Sequence, residues 1–420
     1  MKRIAVIGSG IAGMAAAHLL SRRHMVWLFE KDTRLGGHTH TIPVVDASGT
    51  PLALDTGFLV HNARTYPNLV RLFRELNVET CASDMSFGVH CPRSGFEYSS
   101  RGLRGFFAQP RNRVRPGHFR LLADILRFNR EATTQIERPD AEGTTIGDFL
   151  ESRGFDGEFV ERYLYPMTSA IWSASFDGIR QFPVLALVRF LANHGMLSVG
   201  QPPAWRTVRG GSARYIDPLV APFRDRIRLG AEVTSVARCG EQVVVTCAGR
   251  PPVQVDEVVF ATHGDQVLPV LKTPTAAERQ VLSAFTTTRN DTWLHTDSSW
   301  LPVREAARAS WNYRLSTRPS APPSVTYHLN RLQRLETTQD FLVTLNPDRD
   351  IAPDTVVRRM SYSHPLYTRA AVAAQARWNE ISGRNRIHYC GAYWYYGFHE
   401  DGLRSALRVA DTFGIKWGHA

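Results

Sequence analysis

The chain has few cysteines, little lysine and no long apolar run. Its five cysteines are odd in number and none lies in a Cys-x-x-Cys pair, which argues against a disulfide framework and a structural zinc site. No apolar stretch reaches the roughly 18 residues of a membrane span. The first residues lack the pattern of a secretory signal. With 43% hydrophobic and 21% charged residues, we expect a globular, multidomain, cytoplasmic protein.

The net charge of +11 comes mostly from arginine, because only four of the 50 cationic residues are lysines. Residues 101–130 hold eight arginines and one acid, Asp124, between bulky apolar side chains. Such a mixture is typical of a segment that contacts anionic lipid headgroups, here at the inner face of the membrane. The alternative is a solvated basic face on a helix that packs on the core. No nucleic-acid-binding module accompanies the segment, so we expect no nucleic acid partner.

The N-terminal residues carry a glycine motif between a strand and a helix. An apolar run at residues 4–7 leads into the motif, an alanine-rich stretch follows, and a second apolar run ends at Glu30. The first glycine permits a tight turn, the second lets the backbone approach a pyrophosphate, and the third lets helix and strand pack closely. Free N–H groups at the helix start would bind the anion, and the acid would bind a ribose. The motif predicts a dinucleotide site formed by Gly8, Gly10, Ile11, Ala12, Gly13 and Glu30.

The residues after the second apolar run resemble a known family. The segment Glu30-Lys31-Asp32-Thr33-Arg34-Leu35-Gly36-Gly37-His38-Thr39 is similar to the one that follows the second strand in flavin-containing amine oxidases. In that family an arginine before a Gly-Gly pair precedes the contacts to the FAD diphosphate and ribityl chain. The resemblance implies FAD rather than NAD. It implies FAD contacts from Lys31, Arg34, Gly36, Gly37, His38 and Thr39.

Two later segments extend the resemblance. Val233 resembles the valine whose main chain meets adenine. Near the other end, a strand-like run ends at Gly391, and a glycine turn leads into a helix near Gly402 and Leu403. In the family, this helix start lies against the flavin ring. The resemblance therefore adds these four residues to the expected FAD site.

The order of the matching segments implies a fold. We expect an α/β chain, α+β overall, with a Rossmann-like FAD-binding domain of the glutathione-reductase and amine-oxidase type. That domain would be discontinuous, formed by residues 1–76, 206–265 and 385–420. Residues 77–205 and 266–384 would form a second domain of mixed sheet and helices, which would hold the substrate.

Further segments indicate the substrate class. Leu294-His295-Thr296-Asp297 and Ser310-Trp311-Asn312-Tyr313 resemble a bacterial branch of FAD-binding oxidoreductases associated with cyclopropane-fatty-acid-synthase-like methyltransferases. This resemblance implies an apolar small-molecule or phospholipid acyl substrate. Amine oxidases usually have a lysine near the flavin, yet residues 288–294 contain none, and His38 replaces an expected arginine. Both departures argue against amine oxidation.

Aromatic residues precede the expected flavin-facing helix and are candidates for a substrate wall: Tyr393, Trp394, Tyr395 and Tyr396. Packing in the core between the domains is the alternative for each ring. Breaking a saturated C–H bond also requires a base for the second proton.

Three residues are candidates for this base. His399 and Glu400 lie nearest the expected flavin-facing helix, with helix capping as their alternative role. His295 is a second-tier candidate because it would share a strand face with Asp297. No cluster of ligands completes a metal site, so no metal is expected.

The sequence is compatible with four functions. The first is an FAD-dependent oxidoreductase that transfers hydride from an apolar, lipid-acyl substrate to flavin N5, for example in desaturation of a methyl-branched phospholipid chain. The second is a double-bond isomerase without net redox change. The third is an amine oxidase-like enzyme, and the fourth is a non-catalytic FAD-binding partner of a lipid methyltransferase.

Overall fold

The computed structural model describes residues 1–135, 143–155, 157–172, 176–193, 195–197, 203–315 and 323–417. The last residues of the predicted FAD domain, 418–420, lie outside these ranges. The strands within them are β1 Arg3–Ile7, β2 Met25–Phe29, β3 Thr41–Val45, β4 Pro51–Asp55, β5 Thr80–Ala82, β6 Phe87–Cys91, β7 Phe96–Ser99, β8 Arg206–Val208, β9 Ile227–Arg228, β10 Val233–Cys239, β11 Gln242–Cys247, β12 Val253–Val255, β13 Glu257–Phe260, β14 Thr287–His295, β15 Trp311–Arg314, β16 Ser324–His328, β17 Leu342–Leu345, β18 Val356–Pro365 and β19 Ile387–Tyr389.

The α-helices of the described residues are α1 Ile11–Ser21, α2 Pro67–Glu75, α3 Gly102–Phe106, α4 Pro116–Gln135, α5 Ile146–Arg153, α6 Gly157–Phe159, α7 Tyr165–Trp172, α8 Phe176–Arg180, α9 Val184–Asn193, α10 Ile216–Val220, α11 Val267–Val270, α12 Ala276–Leu282, α13 Leu329–Leu332, α14 Arg369–Gln375, α15 Trp378–Ile381 and α16 His399–Thr412. They include seven, α3 to α9, that lie between β7 and β8. None of these helices combines the length and the apolar character that crossing a bilayer requires.

A parallel sheet of five strands has the order β19-β13-β1-β2-β9. The central strand, β1, is apolar at Ile4, Ala5 and Val6, and all three are fully buried. Continuous burial is expected for a parallel strand that is covered on both faces. The five strands come from the start, the middle and the end of the chain, so this sheet joins distant segments into one core.

A mixed sheet of seven strands has the order β18-β14-β17-β16-β15-β6-β7. Its pairs are antiparallel except that β15 runs parallel to β6. Helices between α4 and α9 bury their apolar side chains against one end of this sheet, where Val89, Tyr98 and Tyr313 belong to the same cluster. The predicted α/β fold, with a Rossmann-like parallel sheet and a second mixed sheet, is confirmed.

The predicted domain boundaries stay a prediction. Helices α12, α14 and α15 lie within the predicted substrate segment 266–384, yet their side chains belong to the hydrophobic cluster of the parallel sheet. Examples are Val281, Ala371 and Trp378, all buried. These three helices therefore extend the core that the FAD-binding segments form.

Helix α1 packs very closely on the strand that precedes it. A Cβ atom added to Gly13 would lie 1.9 Å from the carbonyl oxygen of Gly8 and 3.1 Å from Cβ of Ala261. A Cβ on Gly10, one turn earlier, would meet no atom within 4 Å. The third glycine of the motif therefore fixes helix packing, while the second borders open space.

We expect Gly13→Ala to lower the free energy of unfolding by at least about 2 kcal/mol, because the backbone must shift to admit the methyl group. Gly10→Ala serves as the matched control and should unfold close to the wild type. Urea denaturation of the ligand-free protein measures both. Equal stability of the two variants would contradict the close packing at Gly13.

Candidate cofactor and active site

One cavity of about 740 Å³ touches all three segments of the parallel-sheet core. Its wall includes Gly10 and Glu30 near the N-terminus, Val233 in the middle of the chain and Gly402 near the C-terminus. Strands of the seven-stranded sheet contribute further lining residues, among them Tyr362. Residues far apart in sequence therefore face a single space.

The start of α1 borders this cavity. Gly10 is the N-cap, no side chain bonds the cap, and the first turn holds no acid. Ile11 and Ala12 begin the helix and line the cavity. N–H groups of a first helical turn lack partners within the helix and carry partial positive charge. This end of the cavity is suited to an anion such as a diphosphate.

Glu30 follows β2 directly, and hydrogen bonds hold its carboxylate in place. Ser9 donates to Oε2 from its backbone N–H at 2.8 Å and from its hydroxyl at 2.6 Å. The N–H of Asp32 donates to Oε1 at 2.9 Å. Glu30 is buried against the chain yet lines the cavity. A carboxylate fixed at this position can accept hydrogen bonds from ribose hydroxyls.

A loop at residues 34–39 packs beside the start of α1. Arg34 donates to the carbonyl oxygen of Gly37 at 2.8 Å and to two further carbonyls of the loop at 3.3 Å. Gly36 has a φ of 110°, and a Cβ there would lie 2.4 Å from the carbonyl oxygen of Thr39. Only glycine is tolerated at such a position. The loop thus holds a cation, Arg34, in the wall of the cavity.

The start of α16 reaches the same cavity. His399 and Gly402 lie in its first turn and line the cavity. A Cβ on Gly402 would lie 2.8 Å from Cγ2 of Ile11, so glycine lets the starts of α1 and α16 meet. Two helix N-termini therefore converge on one space, and the first turn of α1 holds no acid whereas that of α16 holds Glu400 and Asp401.

Most residues predicted to bind the cofactor line this cavity. They are Gly8, Gly10, Ile11, Ala12, Glu30, Lys31, Arg34, Gly36, Gly37, His38, Val233, Gly391 and Gly402. The other three predicted residues lie outside the lining and are buried: Gly13, Thr39 and Leu403. Gly13 packs on β1, Thr39 bonds to His399, and Leu403 belongs to the core of the parallel sheet.

His399, a predicted catalytic residue, is held firmly in the cavity wall. Its Nε2 lies 2.9 Å from Oγ1 of Thr39 and 3.3 Å from the hydroxyl of Tyr215, which also bonds to Thr39. Its ring stacks on Phe58 with the centroids 3.9 Å apart. Burial lowers the pKa of His399 to about 3, with His61 adding to the effect. The imidazole is therefore neutral at pH 7 and a weak proton acceptor.

Glu400, the second predicted catalytic residue, is not brought to the cavity. Its Oε1 accepts hydrogen bonds from the backbone N–H and the side-chain amide of Asn68, at 3.1 and 2.6 Å. Its Oε2 accepts from the N–H of Leu69 at 2.9 Å. Burial raises the pKa of Glu400. The carboxylate thus caps the N-terminus of α2 and ties that helix to α16.

His295, the second-tier candidate, also lies outside the cavity lining. It is fully buried in the seven-stranded sheet, where Nε2 lies 2.8 Å from Oγ1 of Thr344. Its Nδ1 accepts a hydrogen bond from the backbone N–H of Asp297 at 3.2 Å. Burial lowers the pKa of His295 to about 4. The geometry supports a packing role for this side chain.

Only two of the four aromatic residues predicted to form a substrate wall line the cavity. Tyr393 and Tyr396 line the cavity. Trp394 is buried against Phe285, with ring centroids 4.9 Å apart, and Tyr395 lies under the guanidinium of Arg404 at 4.2 Å. Two of the four rings therefore belong to the packing around the site rather than to its lining.

The cavity also contains a group of histidines that was not predicted from the sequence. The rings of His263 and His364 lie 5.9 and 5.4 Å from that of His38, and the Tyr362 ring lies 5.1 Å away. Burial lowers the pKa of His38 well below its usual range and that of His364 to about 4. Only His38 lay in a recognised motif. The other residues come from distant segments, so no local pattern signalled the group.

Helices α7 and α9 and strands of the seven-stranded sheet form an apolar wall of the cavity. This wall consists of Ala170, Ile171 and Trp172 of α7, Phe190 of α9, Trp311 of β15, Tyr327 of β16 and Leu345 of β17. None of these side chains carries a charge. A wall of this composition is suited to an apolar ligand.

The sequence profile described as flavin containing amine oxidoreductase matches residues 11–412. The chain belongs to this family. The resemblance that the N-terminal and C-terminal motifs indicated is therefore confirmed, together with the oxidoreductase class.

Solved structures share the fold of this flavin-containing amine oxidoreductase. Putrescine oxidase bound to putrescine has a TM-score of 0.70 at 15% identity, over 99% of each chain. A CLA-producing fatty acid isomerase from P. acnes has a TM-score of 0.69 at 14% identity, over 99% of each chain. A relative found by sequence comparison is a carotenoid phi-ring synthase from Streptomyces griseus. It is 40% identical over 107 residues, which span 25% of this chain and 19% of that protein.

FAD is the cofactor of this flavin-containing amine oxidoreductase. The cavity residues fit it: Gly10 leaves open space beside an uncapped helix start, and the fixed carboxylate of Glu30 stands at the end of β2. Gly10 and Ile11 would hold the diphosphate, and Glu30 would hold the adenosine ribose. The helix start at Gly402 would lie against the ring. The predicted cofactor is confirmed.

The low pKa of His399 leads to a prediction about stability. The unfolded imidazole binds a proton as the pH falls through 6.5, whereas the folded one stays neutral to about pH 3. Between these two pH values the unfolded state binds more protons than the folded state. The contribution of His399 to the free energy of unfolding is therefore fully present above pH 6.5 and is lost as the pH falls below 6.5. Relative to His399→Gln, the ligand-free wild type should lose about 1.4 kcal/mol of unfolding free energy between pH 7.5 and 5.5.

Urea titrations of both proteins at the two pH values measure this difference. Comparing the change with pH, rather than the stability at one pH, cancels the loss of the Thr39 contact in the variant. An identical pH dependence for the two proteins would contradict the lowered pKa.

Proposed function

We propose that this flavoenzyme oxidises an apolar lipid-acyl substrate by removing hydride from a C–H bond. The observation that carries the proposal is the apolar wall of the cavity, formed by α7, α9 and strands β15 to β17. Transfer of an acyl chain from water into such a space is favourable by about 0.8 kcal/mol for each buried methylene group.

The charges in the cavity support this choice. Among the described lining residues the only lysine is Lys31, which follows Glu30 at the adenosine end. The lining carboxylates, Glu30, Asp32, Glu232 and Asp265, all belong to segments around the parallel sheet and none to the apolar wall. A cationic amine would therefore find no carboxylate partner on that wall, whereas a neutral chain requires none.

Bound FAD supplies hydride acceptance at N5 of its ring. The chain contributes position and electrostatics. Trp172 and Phe190 are buried side chains that exclude water from the apolar wall. The N-terminus of α16, at His399 and Gly402, stabilises negative charge on a group bound against it.

Neutral histidines supply proton acceptors inside the cavity. His38, His263, His364 and His399 line it, and burial lowers the pKa of each. His399 is bonded through Nε2 to Thr39, so its ring is better suited to position groups than to accept a proton. The proton released on forming a double bond would pass to His38, His263 or His364, each of which burial makes a weaker base than an ordinary histidine.

Double-bond isomerisation is a second candidate. It is favoured by the likeness in fold to the fatty acid isomerase, over 99% of each chain at 14% identity. The same apolar wall would hold an unsaturated chain, and the hydride would return to the substrate. Such an enzyme needs no external electron acceptor.

Anaerobic spectroscopy tests the proposal. Detergent-dispersed phospholipid with methyl-branched acyl chains should bleach the visible flavin band, whereas putrescine and cyclohexylamine should leave it unchanged. Chromatography of the lipid should show a chain with one more double bond. Conversion of an unsaturated chain into its positional isomer without bleaching would identify the isomerase instead.

A variant of the apolar wall gives a second readout. Ile171→Asp should lower kcat/KM for the acyl substrate at least about tenfold, because the chain would bury a carboxylate. Val357→Asp, on an exposed strand position outside the cavity, is the matched control. Both variants should retain the flavin spectrum. Bleaching by amines alone, or inertness toward every probe, would overturn the proposal.

A further inference from the structure

Bulky apolar side chains are exposed on the outer surface of the helical layer, by which we mean helices α3 to α9. Leu103, Val114, Phe119 and Leu126 are 73%, 81%, 49% and 47% exposed. Large apolar groups close together on a surface usually mark a place where a partner binds. All four fall within residues 101–130.

Three of these side chains, Leu103, Phe119 and Leu126, are connected through Phe107 and α4, and Val114 lies beside them in sequence. Phe119 and Leu126 are seven residues apart on α4 and so share a face of the helix. The rings of Phe107 and Phe119 lie 5.4 Å apart, which brings the end of α3 beside the start of α4. Leu103 lies one turn before Phe107 and accepts its N–H. Val114 lies two residues before α4. The interfacial face, as we name it, is the exposed surface of residues 101–130.

Arginines surround the apolar groups of the interfacial face. Arg104, Arg113 and Arg130 are exposed and form no ion pair with any described residue. By contrast, Arg115 pairs with Glu158 and Arg127 with Asp124, so these two side chains belong to the protein's own contacts. Cations without an internal partner, placed around exposed apolar groups, complement a surface that is anionic outside and apolar beneath.

The interfacial face and the apolar wall belong to the same helical layer. Helix α4 buries Leu121 and Phe128 in the apolar cluster that the helical layer forms with one end of the seven-stranded sheet, and it packs against α9. Helix α9 places Phe190 in the cavity, next to Trp172 of α7 at a ring distance of 4.8 Å. One layer thus carries exposed apolar groups outside and the cavity lining inside.

We propose that the interfacial face docks on an anionic phospholipid bilayer. Leu103, Val114, Phe119 and Leu126 enter the boundary of the acyl chains, and Arg104, Arg113 and Arg130 bind the headgroups. Docking itself is independent of the proposed function. The further step, that the docked bilayer supplies the acyl substrate to the cavity, rests on that function.

Sedimentation of the holoenzyme with vesicles tests the docking. Vesicles of phosphatidylcholine and phosphatidylglycerol in equal parts should bind the wild type, and phosphatidylcholine vesicles should bind it far more weakly. Arg104→Glu/Arg113→Glu/Arg130→Glu should weaken binding to the anionic vesicles about 100-fold or more. Arg250→Glu/Arg279→Glu/Arg384→Glu makes the same change in charge at exposed positions elsewhere and should bind like the wild type.

The apolar groups need their own test, since charge alone would attract an anionic surface. Phe119→Ser/Leu126→Ser should weaken vesicle binding about tenfold or more. The control Val45→Ser/Val303→Ser changes exposed apolar residues outside the interfacial face and should leave binding intact. All of these positions are on the surface, so an unchanged flavin spectrum verifies that each variant is folded.

The outcomes separate the two proposals. Vesicle binding that is equal in the arginine variant and its control would overturn the docking. Binding to duplex DNA without binding to vesicles would do the same. Flavin bleaching by dispersed acyl substrate without vesicle binding would leave the proposed function standing and remove the docking. Vesicle binding without bleaching would retain the docking alone.

Discussion

The site depends on the contact between the starts of helices α1 and α16. Glycine at position 402 leaves room for Ile11, and glycine at position 13 lets α1 approach β1. Because both helices begin at the same cavity, the partial positive charges of their N-termini add at one place. Like dipole ends repel each other when nothing lies between them. A bound diphosphate would place negative charge between them and relieve that repulsion.

The cofactor end of the site could be predicted from sequence because its signals are local. A glycine that permits a close backbone approach and an acid that follows a strand occupy fixed places in one supersecondary unit. The acid at position 30 and the glycines at positions 8, 10 and 36 are such signals. Their partners could not be predicted in the same way. Ser9 occupies a variable place in the motif, yet its N–H and hydroxyl fix the Glu30 carboxylate.

The catalytic end was less predictable because the direction of a side chain depends on tertiary packing. Neighbours on a helix differ by about 100° in direction. His399 therefore lines the cavity while Glu400, the next residue, caps α2. Tyr393 and Trp394 are neighbours in a 3₁₀ turn, where successive side chains differ by about 120° in direction, so one lines the cavity and the other packs in the core. His263 and His364 reach His38 only through the fold, and no sequence spacing relates three residues from separate segments.

The apolar wall of the cavity and the burial of its histidines both bear on the chemistry. In the proposed function the wall favours a neutral, chain-like substrate. Burial also lowers the pKa of the histidines in the cavity by penalising their protonated form. The helical layer behind that wall departs from the usual pattern of a surface helix, which buries one apolar face and presents a polar one. Helix α4 buries Phe128 but also exposes Phe119 and Leu126. The two interpretations of the arginine-rich segment are therefore compatible: the inner face of α4 packs on the core, and its outer face retains apolar groups that this packing leaves uncovered.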